Sequence, residues 1–177
     1  WGENKVRRRL SHAELYRQVA QLAAAMRAEG VQAGDRVAAY MPNMPETVIA
    51  FLATASIGAI FTSASPDFGV QGVLDRFGQV EPKLLFVADG YFYNGKTIDC
   101  LDRVAEVVDR MPSVRKVVVT PYVAEGGHRL EAIRGGALLD VFLRSTEAAS
   151  EIAFARLPFD HPLVIMYSSG TTGVPKC

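Results

Sequence analysis

Ten residues near the end of the sequence, 167–176 (YSSGTTGVPK), carry the side chains best suited to chemistry. Glycine has no Cβ, so Gly170 and Gly173 let backbone N–H groups approach a ligand closely. Serine and threonine hydroxyls donate hydrogen bonds and a lysine ammonium offsets negative charge, so the stretch predicts a site for a polyphosphate. The predicted phosphate-binding residues are Ser168, Ser169, Gly170, Thr171, Thr172, Gly173 and Lys176.

This stretch is not the phosphate loop of the common nucleoside triphosphatases. That loop reads G-x-x-x-x-G-K-[ST] and opens a helix. Here Lys176 stands three residues after Gly173, and Pro175 lies between them. One of the hydroxyls can also meet a Mg²⁺ ion through water. The residues alone leave open a flexible surface turn as the alternative.

The chain before the loop alternates between strand and helix patterns. The apolar residues 163–166 predict a buried strand that leads into the loop. The alternation predicts an α/β fold, with a doubly wound, mostly parallel sheet and flanking helices. No domain boundary is visible. The other predicted strands are residues 36–40, 59–63, 84–88 and 117–119, and predicted helices begin near Ser11, Pro45, Val70 and Ile98.

Local signals sharpen parts of this pattern. Ser11 and Glu14 have the spacing of a capping box, and the Asn94-Gly95 pair predicts a tight turn. Residues 47–66 carry no charge, but their pattern changes midway, so we expect a helix, a glycine turn and a strand instead of a membrane span. Two further segments have less distinct patterns: residues 120–137 are expected to be irregular and residues 137–143 to form a short helix.

Composition limits the partners. The chain has 177 residues, of which 49% are apolar and 21% charged, and its 19 Lys and Arg residues balance 19 Asp and Glu residues. This balance gives no reason to expect nucleic acid or an anionic membrane as a partner. Cys100, Cys177 and the three histidines show no metal-ligand spacing, so we expect no metal site and free thiols in a reducing cytoplasm.

Residues 167–176 resemble the signature loop of the adenylate-forming superfamily, which comprises acyl-CoA synthetases, peptide-synthetase adenylation domains and luciferases. Upstream segments extend the resemblance to nearly the whole chain, although to only an early part of such an enzyme. Residues 65–69 (SPDFG) and 74–83 (LDRFGQVEPK) resemble the acetoacetyl-CoA synthetases more than acetyl-CoA synthetases or long-chain fatty acid ligases. The resemblance therefore implies that residues 1–177 form an incomplete N-terminal AMP-binding domain.

In that superfamily a carboxylate attacks the α-phosphorus of ATP, and the thiol of coenzyme A then displaces AMP. The loop would hold the β- and γ-phosphates, with Mg²⁺ as the cofactor. The family's adenine and acyl pockets, its acidic residue for Mg²⁺ and its catalytic lysine follow this loop, so no catalytic residue is expected here and the 177-residue piece should be inactive. Two alternatives remain: a synthetase for another short or medium-chain acid, and a non-catalytic nucleotide-binding module.

A second site follows from the same resemblance. In related acetyl-CoA synthetases the stretch that matches Tyr93, Asn94, Gly95 and Lys96 carries arginines that meet coenzyme A phosphates. Here Lys96 is the one cation, because Tyr93 replaces the other. The alternative is a tight Asn-Gly turn without a ligand.

Overall fold

The computed structural model describes residues 5–124, 129–168 and 175–177. In this part of the chain, strands and helices alternate as the sequence predicts, except that Gly90–Tyr93 and Lys96–Asp99 follow the strand Leu84–Ala88 as a hairpin. The helices are α1 (His12–Ala28), α2 (Pro45–Ser56), α3 (Val70–Val80), α4 (Leu101–Asp109) and α5 (Leu139–Leu143). The strands are β1 (Arg36–Tyr40), β2 (Ile60–Ala64), β3 (Leu84–Ala88), β4 (Gly90–Tyr93), β5 (Lys96–Asp99), β6 (Lys116–Thr120), β7 (Gly136–Leu138) and β8 (Val164–Ile165). Single turns of 3-10 helix cover Leu130–Ala132 and Arg144–Thr146.

Six strands form one sheet in the order β7-β6-β3-β1-β2-β8, and each neighbouring pair is parallel. Helices α1, α2 and α5 cover one face, and α3 and α4 cover the other. Side chains of β1 alternate between the two cores: Val37 and Ala39 face the first, and Ala38 and Tyr40 face the second. The predicted α/β fold with a mostly parallel sheet and flanking helices is confirmed.

Local sequence signals set several boundaries. The Ser11 hydroxyl accepts the Glu14 N–H at 3.2 Å, and the Glu14 carboxylate accepts the Ser11 N–H at 2.7 Å, which completes the predicted capping box. The uncharged window 47–66 divides into α2, a turn at Gly58 with φ of 77° and β2, also as predicted. In the described ranges, no helix has the length and apolar character needed to cross a bilayer.

The structure corrects the predictions for three of these segments. Residues 163–166 are not a buried strand: β8 has two residues, and Leu163 and Met166 are 50% and 77% exposed. The reason is that, among residues 5–124, 129–168 and 175–177, β8 is the edge strand and has β2 as its one neighbour. Its apolar character therefore does not report burial within this chain.

The predicted short helix at residues 137–143 is confirmed as α5 from Leu139 to Leu143, but residues 137 and 138 belong to strand β7. Gly135 has φ of 70°, and a Cβ on it would lie 2.5 Å from the Arg115 carbonyl oxygen. Glycine therefore permits the close approach that leads β7 alongside β6. The helix that was predicted to begin near Ile98 starts later. Ile98 lies in β5, and α4 begins at Leu101.

Candidate functional site

The predicted phosphate loop begins and ends at one place, directly after β8. The Ser168 N–H donates to the Lys176 carbonyl at 2.9 Å, and the Lys176 N–H donates to the Ser168 carbonyl at 3.3 Å. We call this antiparallel pair the loop neck. Because β8 runs parallel to β2, the neck lies at the carboxyl edge of the sheet, where open α/β sheets bind ligands.

Of the predicted phosphate-binding residues, the structure describes Ser168 and Lys176 and brings them together. Ser169, Gly170, Thr171, Thr172 and Gly173 lie outside the described residues. The Ser168 hydroxyl donates to the Lys176 carbonyl at 3.3 Å, so it bonds its own loop, whereas Lys176 is exposed. The described geometry therefore gives the neck of a loop with a cation on its returning arm.

Tyr167 fixes the departing arm of the loop. Its hydroxyl lies 2.9 Å from the Thr62 hydroxyl of β2, and its ring lies 6.5 Å from the Phe77 ring of α3. Burial raises the pKa of Tyr167, although the hydrogen bond from Thr62 opposes this shift. The phenol is therefore a neutral anchor that ties the loop to β2 and α3.

An open cleft of about 500 Å³ lies between the exits of β2 and β8, beside Tyr167. Its polar lining comprises Ser63, Ser65 and Arg76, and apolar side chains of β2 and β8 form much of the rest. The Arg76 guanidinium lies 3.9 Å from the centre of the Phe68 ring and donates to the Gly72 carbonyl at 2.8 Å. A second cavity of about 420 Å³ lies between α1 and α2 and is almost wholly apolar, which does not suit a polyphosphate.

Residues 65–68 form the rim of this cleft, and two residues that the sequence did not single out hold them. The Tyr40 hydroxyl donates to the Phe68 carbonyl at 2.5 Å. Arg103 donates to the Pro66 carbonyl at 2.7 Å and to the Tyr40 hydroxyl at 3.0 Å. Burial raises the pKa of Tyr40, and the bond to Tyr40 raises the pKa of Arg103. No local pattern gave a signal, because the bonded residues are 28 to 63 positions apart.

The second predicted site forms the tip of hairpin β4–β5. Asn94 and Gly95 have φ of 49° and 74°, the left-handed pair of a type I′ turn, so the predicted tight turn is confirmed. Tyr93 and Lys96 pair across the hairpin, and both are exposed. The hairpin follows β3, which lies three strand positions from β8 and hence ~14 Å away across the sheet. Lys96 and Lys176 are therefore two exposed cations that follow different strands of the sheet, and both ligand roles stay predictions.

Other groups complete the description of the chemistry available. Cys100 is buried and Cys177 exposed, and both thiols are free. Across residues 5–124, 129–168 and 175–177, no three His, Cys, Asp or Glu side chains cluster as metal ligands do. The expected cytoplasmic location and the absence of a nucleic-acid partner stay predictions.

Comparison with known proteins identifies the family. The model of the family described as "AMP-binding enzyme" matches residues 4–177. An acetoacetyl-coenzyme A synthetase of Rhizobium meliloti is 52% identical over 176 residues, which are 99% of this chain and 27% of that protein. The acetoacetyl-CoA synthetase of Macaca fascicularis is 52% identical over 167 residues, which are 93% of this chain and 25% of that protein.

A solved structure agrees with these sequences. The acetoacetyl-CoA synthetase of Streptomyces lividans matches with a TM-score of 0.82 and 48% identity, over 92% of this chain and 24% of that one. The chain thus spans about a quarter of the length of these relatives. Because the family model and the relatives both cover nearly all of its residues, the chain belongs to the family of AMP-binding enzymes.

Proposed function

We propose that the protein containing this chain is an AMP-forming acid–CoA ligase that activates acetoacetate, and that residues 167–176 bind the β- and γ-phosphates of ATP. The observation that carries the proposal is the loop neck, which brings Ser168 and Lys176 together at the carboxyl edge of the sheet. The relatives named as acetoacetyl-CoA synthetases supply the acid. Since the chain spans a quarter of their length, the activity is proposed for the longer protein.

In the first step, a carboxylate oxygen of the acid forms a bond to the α-phosphorus of ATP. The bond from that phosphorus to the bridging oxygen breaks, and pyrophosphate leaves with the electron pair. Negative charge therefore grows on the phosphates that the loop binds. The Lys176 ammonium, together with the hydroxyls and N–H groups of residues 168–173, stabilises that charge and lowers the barrier.

Mg²⁺ supplies charge neutralisation on the phosphates when it is bound. We expect it to arrive with the nucleotide, because the described residues contain no cluster of three acidic or histidine side chains. Among residues of this chain, the loop hydroxyls are suited to meet it through water, since hydroxyl oxygens bind the hydrated ion without displacing its water shell.

In the second step, the sulfur of coenzyme A bonds to the acyl carbon, the bond from that carbon to the AMP oxygen breaks, and the thiol proton is lost. We propose that the tip of hairpin β4–β5 binds a phosphate of coenzyme A through Lys96. Its exposure and its distance from the loop neck support a role at the far end of a long ligand. The alanine variant of Lys96 should raise the KM for coenzyme A, and an unchanged KM would leave the hairpin without a ligand role.

Acetoacetate-dependent exchange of pyrophosphate into ATP tests the first step in the intact protein. We expect Lys176→Ala and Thr172→Ala to lower the exchange rate by about 10- to 100-fold, with a smaller effect on the KM for acetoacetate. Lys116→Ala is the matched control. Lys116 is the first residue of β6, so it lies at the amino end of the parallel strands, opposite the carboxyl edge that carries the loop neck. Its ion pair with Glu29 spans 3.8 Å, and its loss should leave pyrophosphate exchange unchanged.

Four results would count against the proposal. Unchanged exchange in both loop variants would remove the loop from the mechanism. Exchange with another short acid but not with acetoacetate would replace the proposed substrate. No exchange from the intact protein with any such acid would favour a nucleotide-binding module, and robust exchange from the 177-residue chain alone would contradict the need for the longer protein.

A further inference from the structure

Helix α3 touches both arms of the phosphate loop. On the departing arm, the Phe77 ring packs against Tyr167. On the returning arm, the side-chain amide of Gln79 donates to the Pro175 carbonyl at 2.6 Å. The Cys177 thiol donates to the Gln79 side-chain oxygen at 3.5 Å. Two positions of one helix therefore hold the chain on either side of the loop neck.

The Gln79 amide is oriented for this contact. An amide nitrogen carries two hydrogens, and the second bonds the Asp75 carbonyl one turn earlier at 2.5 Å. This bond within α3 fixes the amide plane, so the other hydrogen points to Pro175. The helix itself is held by Val73 and Phe77, which are fully buried against the sheet. Gln79 is therefore an exposed side chain with a defined direction on a rigid support.

The neck needs this support because its own bonds are few. It consists of one backbone bond of 2.9 Å and one of 3.3 Å, and β8 before it pairs over only two residues. Two exposed backbone bonds are a weak closure for a loop of seven intervening residues. The bond from Gln79 is the described contact from outside the loop that holds Pro175, the residue next to Lys176.

We infer that Gln79 is a positioning residue of the phosphate loop, which holds the returning arm so that Lys176 stays beside the pyrophosphate end of ATP. The inference rests on the proposed function, because Gln79 affects the reaction through the position of Lys176. Its physical basis is pre-organisation: a loop closed before the nucleotide arrives loses less conformational freedom on binding and keeps its cation in position during reaction.

The experiment compares Gln79→Met with Gln71→Met in the intact protein. Methionine keeps the length of glutamine and its helix propensity but removes both donors. Gln71 lies on the same helix and bonds Asp75 and Arg110, which are not part of the loop. A third variant, Gln79→Lys, restores a donor to the Pro175 carbonyl. Thermal unfolding first establishes that all three variants fold.

Two readouts separate the contact from its consequence. We expect Gln79→Met to speed amide hydrogen exchange at Lys176 about 10-fold, since one hydrogen bond that closes the neck is lost. We also expect kcat/KM for ATP to fall by about 10-fold, with the KM for acetoacetate within about twofold. Gln71→Met should change neither, and Gln79→Lys should recover most of the loss. A purely structural defect would lower kcat/KM for ATP and for acetoacetate alike, and Gln79→Lys would not restore either value.

The outcomes that overturn the inference are distinct from those that overturn the proposed function. Unchanged exchange at Lys176 in Gln79→Met removes the positioning role and leaves the proposed function intact. Faster amide hydrogen exchange at Lys176 with unaltered kcat/KM for ATP also removes the positioning role, provided that Lys176→Ala lowers activity. Full activity of Lys176→Ala removes the proposed function, and the positioning role falls with it.

Discussion

Substitution of Asp89 tests how the carboxyl edge of the sheet is assembled. Asp89 follows β3 and is 1% exposed. One oxygen of its carboxylate accepts the N–H groups of Tyr122 and Val123 at 2.8 and 3.0 Å, and the other accepts the Ala124 N–H at 3.0 Å. Its own carbonyl accepts the Cys100 N–H at 2.9 Å. Asp89 thus ties the segment after β6 and the start of α4 to the end of β3.

The expected cost follows from these bonds. Asp89→Ala leaves three partly buried N–H groups without their acceptor, and a hydrogen bond to a charged group contributes about 1.5–3 kcal/mol. Allowing for relaxation of the exposed part of the segment, we expect a loss of about 4 kcal/mol in the free energy of unfolding. Asp89→Asn keeps an oxygen for two of the N–H groups but turns its NH₂ toward the third, so we expect about 2–3 kcal/mol.

Urea unfolding of the purified chain, followed by circular dichroism, measures both values. Asp102→Asn is the matched control, because Asp102 is 80% exposed and its ion pair with Arg129 is on the surface. We expect the control to change the free energy of unfolding by less than about 0.5 kcal/mol. If Asp89→Asn costs no more than Asp102→Asn, the three bonds do not stabilise this edge and the reasoning is wrong.

Two further predictions concern buried groups near the same edge. Burial raises the pKa of Cys100 to about 11, so at pH 8 a disulfide reagent should modify the exposed Cys177 alone in the folded chain, and both thiols in urea. Rapid modification of two thiols in the folded chain would contradict this. A Cβ on Gly90 would lie 2.4 Å from the Ile98 carbonyl oxygen, whereas a Cβ on Gly78 meets nothing within 4 Å. Gly90→Ala should therefore destabilise the chain by about 1–3 kcal/mol. Gly78→Ala, in the interior of a helix, should stabilise it by up to about 1 kcal/mol, and equal unfolding midpoints would refute the contrast.

The fold could be predicted from the sequence where the determinants are local. The capping box at Ser11 begins α1, and the unbroken apolar strand β3 (Leu84–Ala88) matches its prediction residue for residue. Strand β7 could not be predicted, because its position depends on how closely Gly135 approaches Arg115, twenty residues earlier. The burial of residues 163–166 failed for a related reason, since an apolar pattern does not tell which strand becomes the edge of a sheet.

The candidate site shows the same division. Ser168 and Lys176 were found from residue type and spacing, because a phosphate-binding loop is a continuous stretch. Tyr40 and Arg103 were not found, because their role depends on bonds to residues that the chain brings near only after folding. Even α3, which was predicted as a helix from its apolar face, gave no sign that its polar side contacts the loop.

The polar side of α3 explains how an exposed edge strand can lead into a well-positioned loop. Strand β8 has only two residues and contributes few backbone bonds. The loop arms are held instead by Thr62 of β2 and by Phe77 and Gln79 of α3, which belong to consecutive elements of the sequence. A β-strand and the helix that follows it therefore fix the loop neck from one side. Because Thr62, Phe77 and Gln79 all belong to this chain, the described residues themselves supply the contacts that hold the loop neck.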